Sequence, residues 1–293
     1  MFAAESTAAD PRANPADPFG YCLNTSTIRG QKLPITAEVE IAARAGYQGI
    51  EPWIRELEEF VKAGGALKDL GKQIRDLGLQ VPSAIGFAEW IVDDPVRRKK
   101  GLEQAKRDME LVQQIGGTRI AAPPAGATDQ AHLDLLAAAE RYRALCELGE
   151  KMGIAPEAEV WGFSKSLKRL GEAVLVAIES AHPAACVLPD VFHLYKGGSD
   201  VAGLRLIRGS AIGIFHMNDY PLLEREKIKD ADRVYPGDGG APLTEIFRAL
   251  RDIGYRGMLS LELFNVDIWK QDALHVAKTG LDKMRQAVRK ALA

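Results

Sequence analysis

Residues 187–198 read VLPDVFHLYKGG, an apolar run that ends abruptly on a carboxylate. Asp190 closes the run and His193 follows three residues later, so a carboxylate and an imidazole emerge together where a buried strand would stop. Such a pair is typical of a metal site or of acid and base catalysis. Three other apolar runs stop on a side chain of the same kind: EAEVWG at Glu159, GIFHMND at His216 and LSLELFN at Glu262. The sequence therefore predicts four strands that each deliver one candidate ligand.

The rest of the chain repeats one pattern: an amphipathic helix, a glycine, a short apolar run and a polar loop. The glycines stand where a helix is expected to end at positive φ, at Gly46, Gly78, Gly116, Gly153, Gly209 and Gly254. The helices carry apolar residues on one face, as at Leu102, Ala105, Met109 and Val112, and at Leu167, Leu170, Val174 and Ile178. One-sided helices that alternate with continuous apolar strands indicate a parallel sheet covered by helices.

Eight such units can be counted, which predicts an α/β protein that forms a single-domain (β/α)8 TIM barrel. The strands are expected near residues 21–24, 49–53, 80–85, 119–122, 158–161, 186–189, 212–217 and 259–263. An open, doubly wound sheet is the alternative. It is disfavoured because the first strand runs into YCLNTSTIRG, which lacks the GxGxxG motif of dinucleotide-binding folds.

In such a barrel, catalytic residues lie at the carboxyl ends of the strands and in the loops that follow them. Glu159, Asp190, His216 and Glu262 take this position on the last four strands, so they are expected to converge on one point. Three carboxylates and one imidazole suit one divalent ion; we expect Mn²⁺, with Mg²⁺, Co²⁺ or Zn²⁺ as alternatives. Singly, each residue could be a helix cap, a solvated loop residue or a scaffold histidine. Their joint placement favours the metal.

Further side chains near the strand ends have two interpretations each. Arg233, in RVYPGDGG, is either a binding group for substrate oxygens or a solvated turn residue. Asp219 either orients the neighbouring imidazole through its free ring N–H or caps its own loop. Glu157 either supports the strand or replaces the ligand two residues later. Glu51 and several aromatic residues either wall a sugar pocket or pack the barrel rim: Trp53, Phe87, Trp90 and Trp161.

The composition limits the possible partners and surroundings. The 293 residues are 46% hydrophobic and 27% charged, with a formal net charge of −2 and no basic face for a polyanion, so nucleic acid is not expected. No apolar run approaches the roughly 18 residues that span a bilayer, so we expect a soluble, cytoplasmic protein without membrane contact. Residues 1–18 predict a flexible arm before a barrel at 19–293. The alternative that an export signal preceded residue 1 and was removed is left open.

A resemblance to a known superfamily rests on five motifs: AEVWG around Glu159, LPDVFHLY with Asp190 and His193, IFHMND with His216, RVYPGDG with Arg233, and SLELF with Glu262. From about Tyr21 to its C-terminal helix, the chain resembles the xylose-isomerase-like superfamily of sugar isomerases and epimerases. The likeness is closest to inosose isomerases and D-tagatose 3-epimerases. It implies that the four predicted ligands bind one divalent metal, which chelates an α-hydroxyketone, and that His193 and Arg233 hold substrate oxygens.

The reaction implied by the resemblance is isomerisation or epimerisation of a keto-sugar or keto-inositol. A metal on the carbonyl oxygen stabilises the enediolate that forms when a carboxylate removes the adjacent proton. Glu159 and Glu262 would serve as base and acid from opposite sides of the substrate. The same likeness would suit a homodimer or homotetramer.

Two other functions stay open. A lyase or dehydratase on an inosose or a 3-keto-glycoside would use the same enediolate to expel a β-leaving group. A non-catalytic sugar-binding barrel would keep the fold, although all four ligands are present. An apurinic-site endonuclease of the same superfamily is disfavoured, because its trinuclear zinc site needs histidines that the third and fourth predicted strands lack.

Overall fold

The computed structural model describes residues 17–130 and 132–293, which form alternating strands and helices. The regular strands are β1 Gly20–Asn24, β2 Gly49–Glu51, β3 Arg119–Ala122, β4 Ala155–Glu159, β5 Cys186–Leu188, β6 Phe215–Met217 and β7 Met258–Leu261. The α-helices are α1 Ile35–Ala45, α2 Ile54–Lys62, α3 Leu67–Asp76, α4 Pro95–Gln114, α5 Leu135–Met152, α6 Leu170–Glu179, α7 Val191–Gly197, α8 Leu243–Asp252 and α9 Ala273–Leu292. The arm predicted for residues 1–18 lies outside the described residues, apart from its last two.

The strands pair in parallel within two sheets, in the orders β2-β1-β7-β6 and β3-β4-β5. Two seams, each made of single bridges, join the sheets into a closed barrel. At the first seam, residues 80–85 lie between β2 and β3, where the amide of Ala121 donates to the Ala84 carbonyl at 2.8 Å. At the second seam, β5 meets the chain around β6 through the bridges Val187↔Ile212 and Asp190↔His216. The prediction of a (β/α)8 TIM barrel is confirmed.

The regular strand predicted at residues 80–85 was wrong, although this segment does occupy the third barrel position. It bridges to the β2 side only near its ends, through Gly49↔Gln80 and Trp53↔Ile85, and its backbone contact with β3 is the hydrogen bond from Ala121 to Ala84. Pro82 lies between these bridges and has no N–H to donate, so a continuous ladder cannot form there.

Two apolar cores support the barrel. The larger one lies between the sheet and the helices, where Ala105, Met109 and Val112 of α4 are buried as their spacing predicts. The smaller one fills the barrel interior and consists of Cys22, Ile85, Ala121, Leu188 and Ile214. This apolar plug lies below the carboxyl ends of the strands and leaves those ends for polar side chains. None of the helices in the described ranges is long and apolar enough to cross a bilayer.

Glycines end several helices as predicted, with one exception. Gly46 after α1 and Gly153 after α5 have φ values of 95° and 68° and accept the left-handed turn that leads into the next strand. Gly209 is needed for a different reason, because a Cβ there would lie 2.3 Å from the backbone nitrogen of Tyr255. The chain passes too close to its neighbour for any side chain.

Candidate metal centre

Buried polar side chains gather at the carboxyl ends of the barrel strands. They come from or directly after β1, β2, β4, β5, β6 and β7, and they are Asn24, Glu51, Glu159, Asp190, His216 and Glu262. Each follows an apolar segment that packs the barrel wall, so the strand ends aim these groups at one place. The four predicted ligands therefore lie at the same end of the barrel as two further buried residues, Asn24 and Glu51.

Asp190, His216 and Glu262 form a compact cluster with the chemistry of a metal site. One ligand atom from each lies within 4.8 Å of the others. The Nδ1 atom of His216 is 3.2 Å from Glu262 Oε2 and 3.9 Å from Asp190 Oδ2. The guanidinium of Arg233 donates through Nη1 to both carboxylates, at 2.9 Å to Asp190 and 2.8 Å to Glu262. One buried cation thus offsets part of the negative charge of the two acids.

Glu51 fixes the orientation of the His216 ring. Its Oε2 atom lies 3.1 Å from His216 Nε2, and it also accepts hydrogen bonds from Ser260 at 2.6 Å and Asn24 at 2.9 Å. With Nε2 held, Nδ1 faces Asp190 and Glu262 and is buried without a hydrogen-bond partner among the described residues. A carboxylate behind the imidazole is the usual support of a histidine that ligates a metal.

Asp190 both caps a helix and contributes an oxygen atom to the cluster. Its Oδ1 caps α7 by accepting the backbone N–H of His193 at 2.7 Å. Its Oδ2 faces the cluster and accepts hydrogen bonds from Arg233 and from Asn218, each at 2.9 Å. The cap holds the carboxylate rigidly and leaves one oxygen for the site.

Glu159 does not belong to the three-residue cluster but lies beside it. Its carboxylate is buried, and Oε2 has no hydrogen-bond partner within the described part of the chain. Burial raises the pKa of Glu159 to about 8, and the charges of Glu262 and Asp190 add to this effect while that of His216 opposes it. For Glu262, burial alone would raise the pKa, but His216 and Arg233 outweigh it and lower the pKa to about 2. Two neighbouring carboxyl groups whose environments shift their pKa values in opposite directions suit the roles of acid and base.

His193 and Arg233 lie together over the cluster. Arg233 is buried completely, so the alternative of a solvated turn residue was wrong. Its Nη2 donates to Asp230 at 2.7 Å and contacts His193 Nε2 at 3.2 Å. Because a guanidinium can only donate, Nε2 is the acceptor and the ring proton sits on Nδ1. Burial lowers the pKa of His193 to about 4, and Nδ1 is buried without a partner in the described ranges. A neutral donor is therefore available to a substrate oxygen.

Asp219 and Glu157 have structural contacts away from the cluster. Asp219 caps its loop, where it accepts four backbone N–H groups at 2.8–3.1 Å, from Tyr220, Gly237, Gly239 and Ala241. The role of orienting His216 belongs to Glu51 instead. Glu157 lies one layer below Glu159 on β4 and pairs with Arg119 at 3.4 Å. Its carboxylate has space because the neighbour Gly213 has no side chain.

A row of aromatic rings walls the mouth of the barrel. Consecutive ring centroids lie 5.0–6.0 Å apart along Phe264, Trp53, Phe87, Trp161 and Phe163, and the row ends on His193. Trp53, Phe87 and Trp161 thus lie at the barrel mouth in contact with one another, and their role as the wall of a sugar pocket stays a prediction. Trp90 does not: it is buried, and its indole N–H donates to the Pro123 carbonyl at 2.9 Å.

The donor set fits a divalent cation. Two carboxylates and one imidazole converge, and the imidazole nitrogen that faces them lies 3.2 Å from Glu262 Oε2. A further buried carboxylate, Glu159, lies beside them, and its Oε2 has no hydrogen-bond partner among the described residues. Oxygen and imidazole ligands of this kind suit Mn²⁺, Zn²⁺, Co²⁺ and Mg²⁺. Sequence reasoning missed Glu51 and Asn24 as parts of this centre. The signal was present, because both end apolar strands on a polar side chain.

Comparison with known proteins yields sugar isomerases and a dehydratase. The chain is 23% identical to an inosose isomerase of Bacillus velezensis over 92% of this chain and 97% of that protein. It is 27% identical to a 3-dehydroshikimate dehydratase of Pseudomonas putida over 78% of this chain, a match that spans only 36% of that longer protein. A crystal structure of the IolI protein with a bound zinc atom superposes with a TM-score of 0.86 at 21% identity, covering 93% of this chain and 99% of that one.

One family model covers most of the barrel. It describes the xylose isomerase-like TIM barrel and matches residues 39–287, which include all of the predicted site residues. The closed barrel and the polar ends of its strands agree with that description. The chain therefore belongs to the xylose isomerase-like TIM barrel family.

Proposed function

We propose that the protein is a divalent-metal-dependent isomerase or epimerase that acts on a keto-sugar or keto-inositol. One observation carries the proposal: Glu51 holds Nε2 of His216, so that Nδ1 faces the carboxylates of Asp190 and Glu262 at 3.9 and 3.2 Å. The inosose isomerase among the relatives supports a cyclitol as substrate.

The metal ligands in this proposal are Asp190, His216 and Glu262, with Glu159 completing the set from β4. A divalent ion held there would act as a Lewis acid that polarises a carbonyl group and stabilises negative charge on its oxygen. Mn²⁺ is our first choice because an oxygen-rich set suits it, and Zn²⁺ is the second because the related IolI structure contains zinc.

The protein side chains would bind the α-hydroxyketone and move one proton. His193 donates its Nδ1–H and Arg233 its guanidinium N–H groups to substrate oxygens. One of the two carboxylates, Glu159 or Glu262, takes the proton from the carbon beside the carbonyl, and the C–H electron pair passes to the carbonyl oxygen. The other carboxylate, protonated at the start, gives its proton to the opposite face of the same carbon, and the electron pair returns from the oxygen to restore the carbonyl. For an isomerisation the proton goes to the former carbonyl carbon instead, and the neighbouring hydroxyl passes its proton to the former carbonyl oxygen, so that the carbonyl moves by one carbon. The aromatic row keeps water away from the reacting carbons.

A dehydratase is the second candidate, favoured by the match to a 3-dehydroshikimate dehydratase. It would begin with the same proton removal. The electron pair would then expel a hydroxyl group from the β-carbon, with the second carboxylate protonating that leaving group. The two candidates thus share every residue and differ only in the product.

Deuterium incorporation tests both candidates. Metal-loaded protein in D₂O is incubated with inososes and keto-sugars, and NMR follows deuterium at the carbon beside the carbonyl. For the first candidate we expect incorporation, with an isomer or epimer as the product. For the second we expect an unsaturated ketone, which forms without any need for deuterium at that carbon. Metal-loaded protein that exchanges no substrate proton would contradict the proposal.

Two variants on the same strand sharpen this experiment. Glu159→Gln removes a proposed proton carrier and should lower the exchange rate about 100-fold or more. Glu157→Gln is the matched control, because it changes a buried carboxylate two residues earlier that pairs with Arg119, and it should retain exchange.

A homodimeric or homotetrameric assembly and a cytoplasmic location stay predictions.

A further inference from the structure

Arg29 lies at the mouth of the barrel but is not part of the chemistry proposed above. It sits in a 3-10 helix, Thr25–Gln31, that begins at the carboxyl end of β1. Its guanidinium carbon stacks 3.7 Å from the ring centroid of Trp53. The Trp53 indole N–H donates to Asn24 at 2.9 Å, and the Asn24 amide donates to Glu262 at 3.3 Å. A short series of contacts thus joins Arg29 to the metal-ligand cluster.

Phe264 lies between Arg29 and Arg233. The two guanidinium carbons are 5.5 and 5.0 Å from the centroid of its ring, and the sum of these distances is the upper limit of their separation. Arg233 stands over the cluster, and Arg29 stands on the side of β1. A substrate that extends from the cluster along Trp53 would meet both cations.

The guanidinium of Arg29 has unused hydrogen-bond donors. Its Nε and Nη2 atoms are buried and have no hydrogen-bond partner in residues 17–130 and 132–293. A buried donor without a partner costs about 1–3 kcal/mol, so such groups usually have a ligand or a structural partner. Stacking on an indole uses only the face of the guanidinium and leaves the N–H groups in its plane free. These donors form a planar fork that matches two oxygens of an anion.

The charges of Glu56, Glu262 and Glu38 act on Arg29, but no described residue accepts a hydrogen bond from its Nε or Nη2. Glu56 uses its Oε2 to accept from the Thr25 hydroxyl at 2.6 Å and from the Trp53 backbone N–H at 3.0 Å. Burial raises the pKa of Glu38 to about 9, which keeps its carboxyl group neutral at pH 7. Arg55 lies close by, but it is exposed and faces Glu59 at 3.7 Å. Arg29 is therefore the cation at this rim that has buried donors to offer.

We propose that Arg29 binds an oxyanion, a carboxylate or a phosphate ester, at the end of the substrate remote from the metal centre. The inference rests on the proposed function and narrows it, because the keto-sugar or keto-inositol would carry a carboxylate or a phosphate ester. The indole of Trp53 fixes the plane of the guanidinium. Because Trp53 and Asn24 lie between Arg29 and the metal-ligand cluster, the bound anion would lie away from the reacting carbons.

Three ketoses that differ only at carbon 6 test the proposal: D-fructose, D-fructuronate and D-fructose 6-phosphate. Their affinities for metal-loaded protein are measured by calorimetry, together with deuterium exchange in D₂O. We expect at least one anionic ketose to bind about 10- to 100-fold more tightly than fructose. Arg29→Leu should abolish this preference and leave the affinities for fructose and for the metal unchanged. Arg29→Lys should retain part of it, because the charge remains but the fork is lost.

Arg55→Leu is the control for a general effect of positive charge. This residue is exposed and faces Glu59 at 3.7 Å, so its removal should change the preference by less than about threefold. The proposal is overturned if the wild-type protein shows no preference for either anion, or if Arg29→Leu weakens all three ketoses equally. Failure of the proposed function has a different signature: no deuterium enters any ketose or inosose while the metal is bound.

Discussion

The imidazole of His216 shows how one buried contact determines what a side chain can do. Glu51 engages Nε2, so the opposite nitrogen is directed toward Asp190 and Glu262. Burial lowers the pKa of His216, but Glu262 and Glu51 outweigh it and raise the pKa well above its usual value. The ring is thus held in a single orientation before any ligand arrives.

Replacing Glu51 by Gln should weaken metal binding without removing a ligand. The amide keeps the size of the side chain but loses the charge that supports the ring and raises its basicity. We expect the metal affinity to fall about 10- to 100-fold, measured by competition with a chromogenic chelator. Glu157→Gln, which changes a buried carboxylate paired with Arg119, should leave the affinity within about threefold of wild type. Equal affinities for Glu51→Gln and wild type would contradict the supporting role.

The sequence predicted the residues at the ends of the last four strands, because a carboxylate or imidazole that closes an apolar run is conspicuous. Asn24 was not predicted as a site residue, and Glu51 was predicted only as a possible wall of a sugar pocket. Their contacts with Glu262 and His216 join residues far apart in sequence, so no local pattern linked them to the metal centre. Arg233 was placed correctly near the site. Its burial could not be predicted, since it depends on three acids from separate loops.

At the scale of single elements, α4 carries a buried acid that has no part in the metal centre. Asp108 is 2% exposed, lies among apolar residues such as Met109 and Ile120, and has one oxygen without a partner in the described residues. Burial is the main cause that raises its pKa to about 7, and the charge of Glu58 adds to it. Above that pH the helix must bury a negative charge.

Asp108→Asn should therefore stabilise the protein more as the pH rises. Between the ordinary aspartate pKa near 4 and about 7, the folded protein holds a proton that the unfolded chain releases, so wild-type stability falls with rising pH. We expect the variant to gain about 1–3 kcal/mol relative to wild type on going from pH 4.5 to pH 8, measured by urea unfolding. Glu110→Gln, an exposed change on the same helix, should show no such trend. A constant difference between Asp108→Asn and wild type would refute the buried charge.

The element boundaries show where sequence periodicity stops being informative. The spacing of α4 predicted its buried face, whereas the series from Leu167 to Ile178 did not describe α6. Leu167 precedes that helix with a φ of 48°, and Ile178 is 66% exposed. An apolar residue every three or four positions is necessary for a buried face, but tertiary packing decides which residues are covered. The same limit applies at residues 80–85, where an apolar run contains a proline.

At the scale of the whole molecule, the barrel consists of a four-stranded and a three-stranded sheet that meet at two weakly bonded seams. The second seam is crossed by the backbone bonds from Gly213 to Val187 and from His216 to Pro189, at 3.2 and 3.0 Å. Asp190 and His216 lie on opposite sides of it. An ion held by both would connect the two sheets.

Metal should consequently stabilise the whole barrel. At a free ion concentration of 100 times Kd, binding to the folded state contributes about 2.7 kcal/mol, which corresponds to a rise in Tm of about 5 °C for a chain of this size. Differential scanning calorimetry with and without Mn²⁺ or Zn²⁺ measures the shift, and EDTA should reverse it. His216→Ala should lose the shift. If this variant gained as much as wild type, the ion would bind elsewhere.

The second seam also links the activity of the protein to its lifetime. Proteases cut chains that open transiently, and opening is easiest where few backbone bonds hold two parts together. Without an ion between Asp190 and His216, the inactive form would open there more often and be degraded sooner. Metal scarcity would then reduce the amount of protein as well as its activity, and the surviving molecules would be the loaded ones.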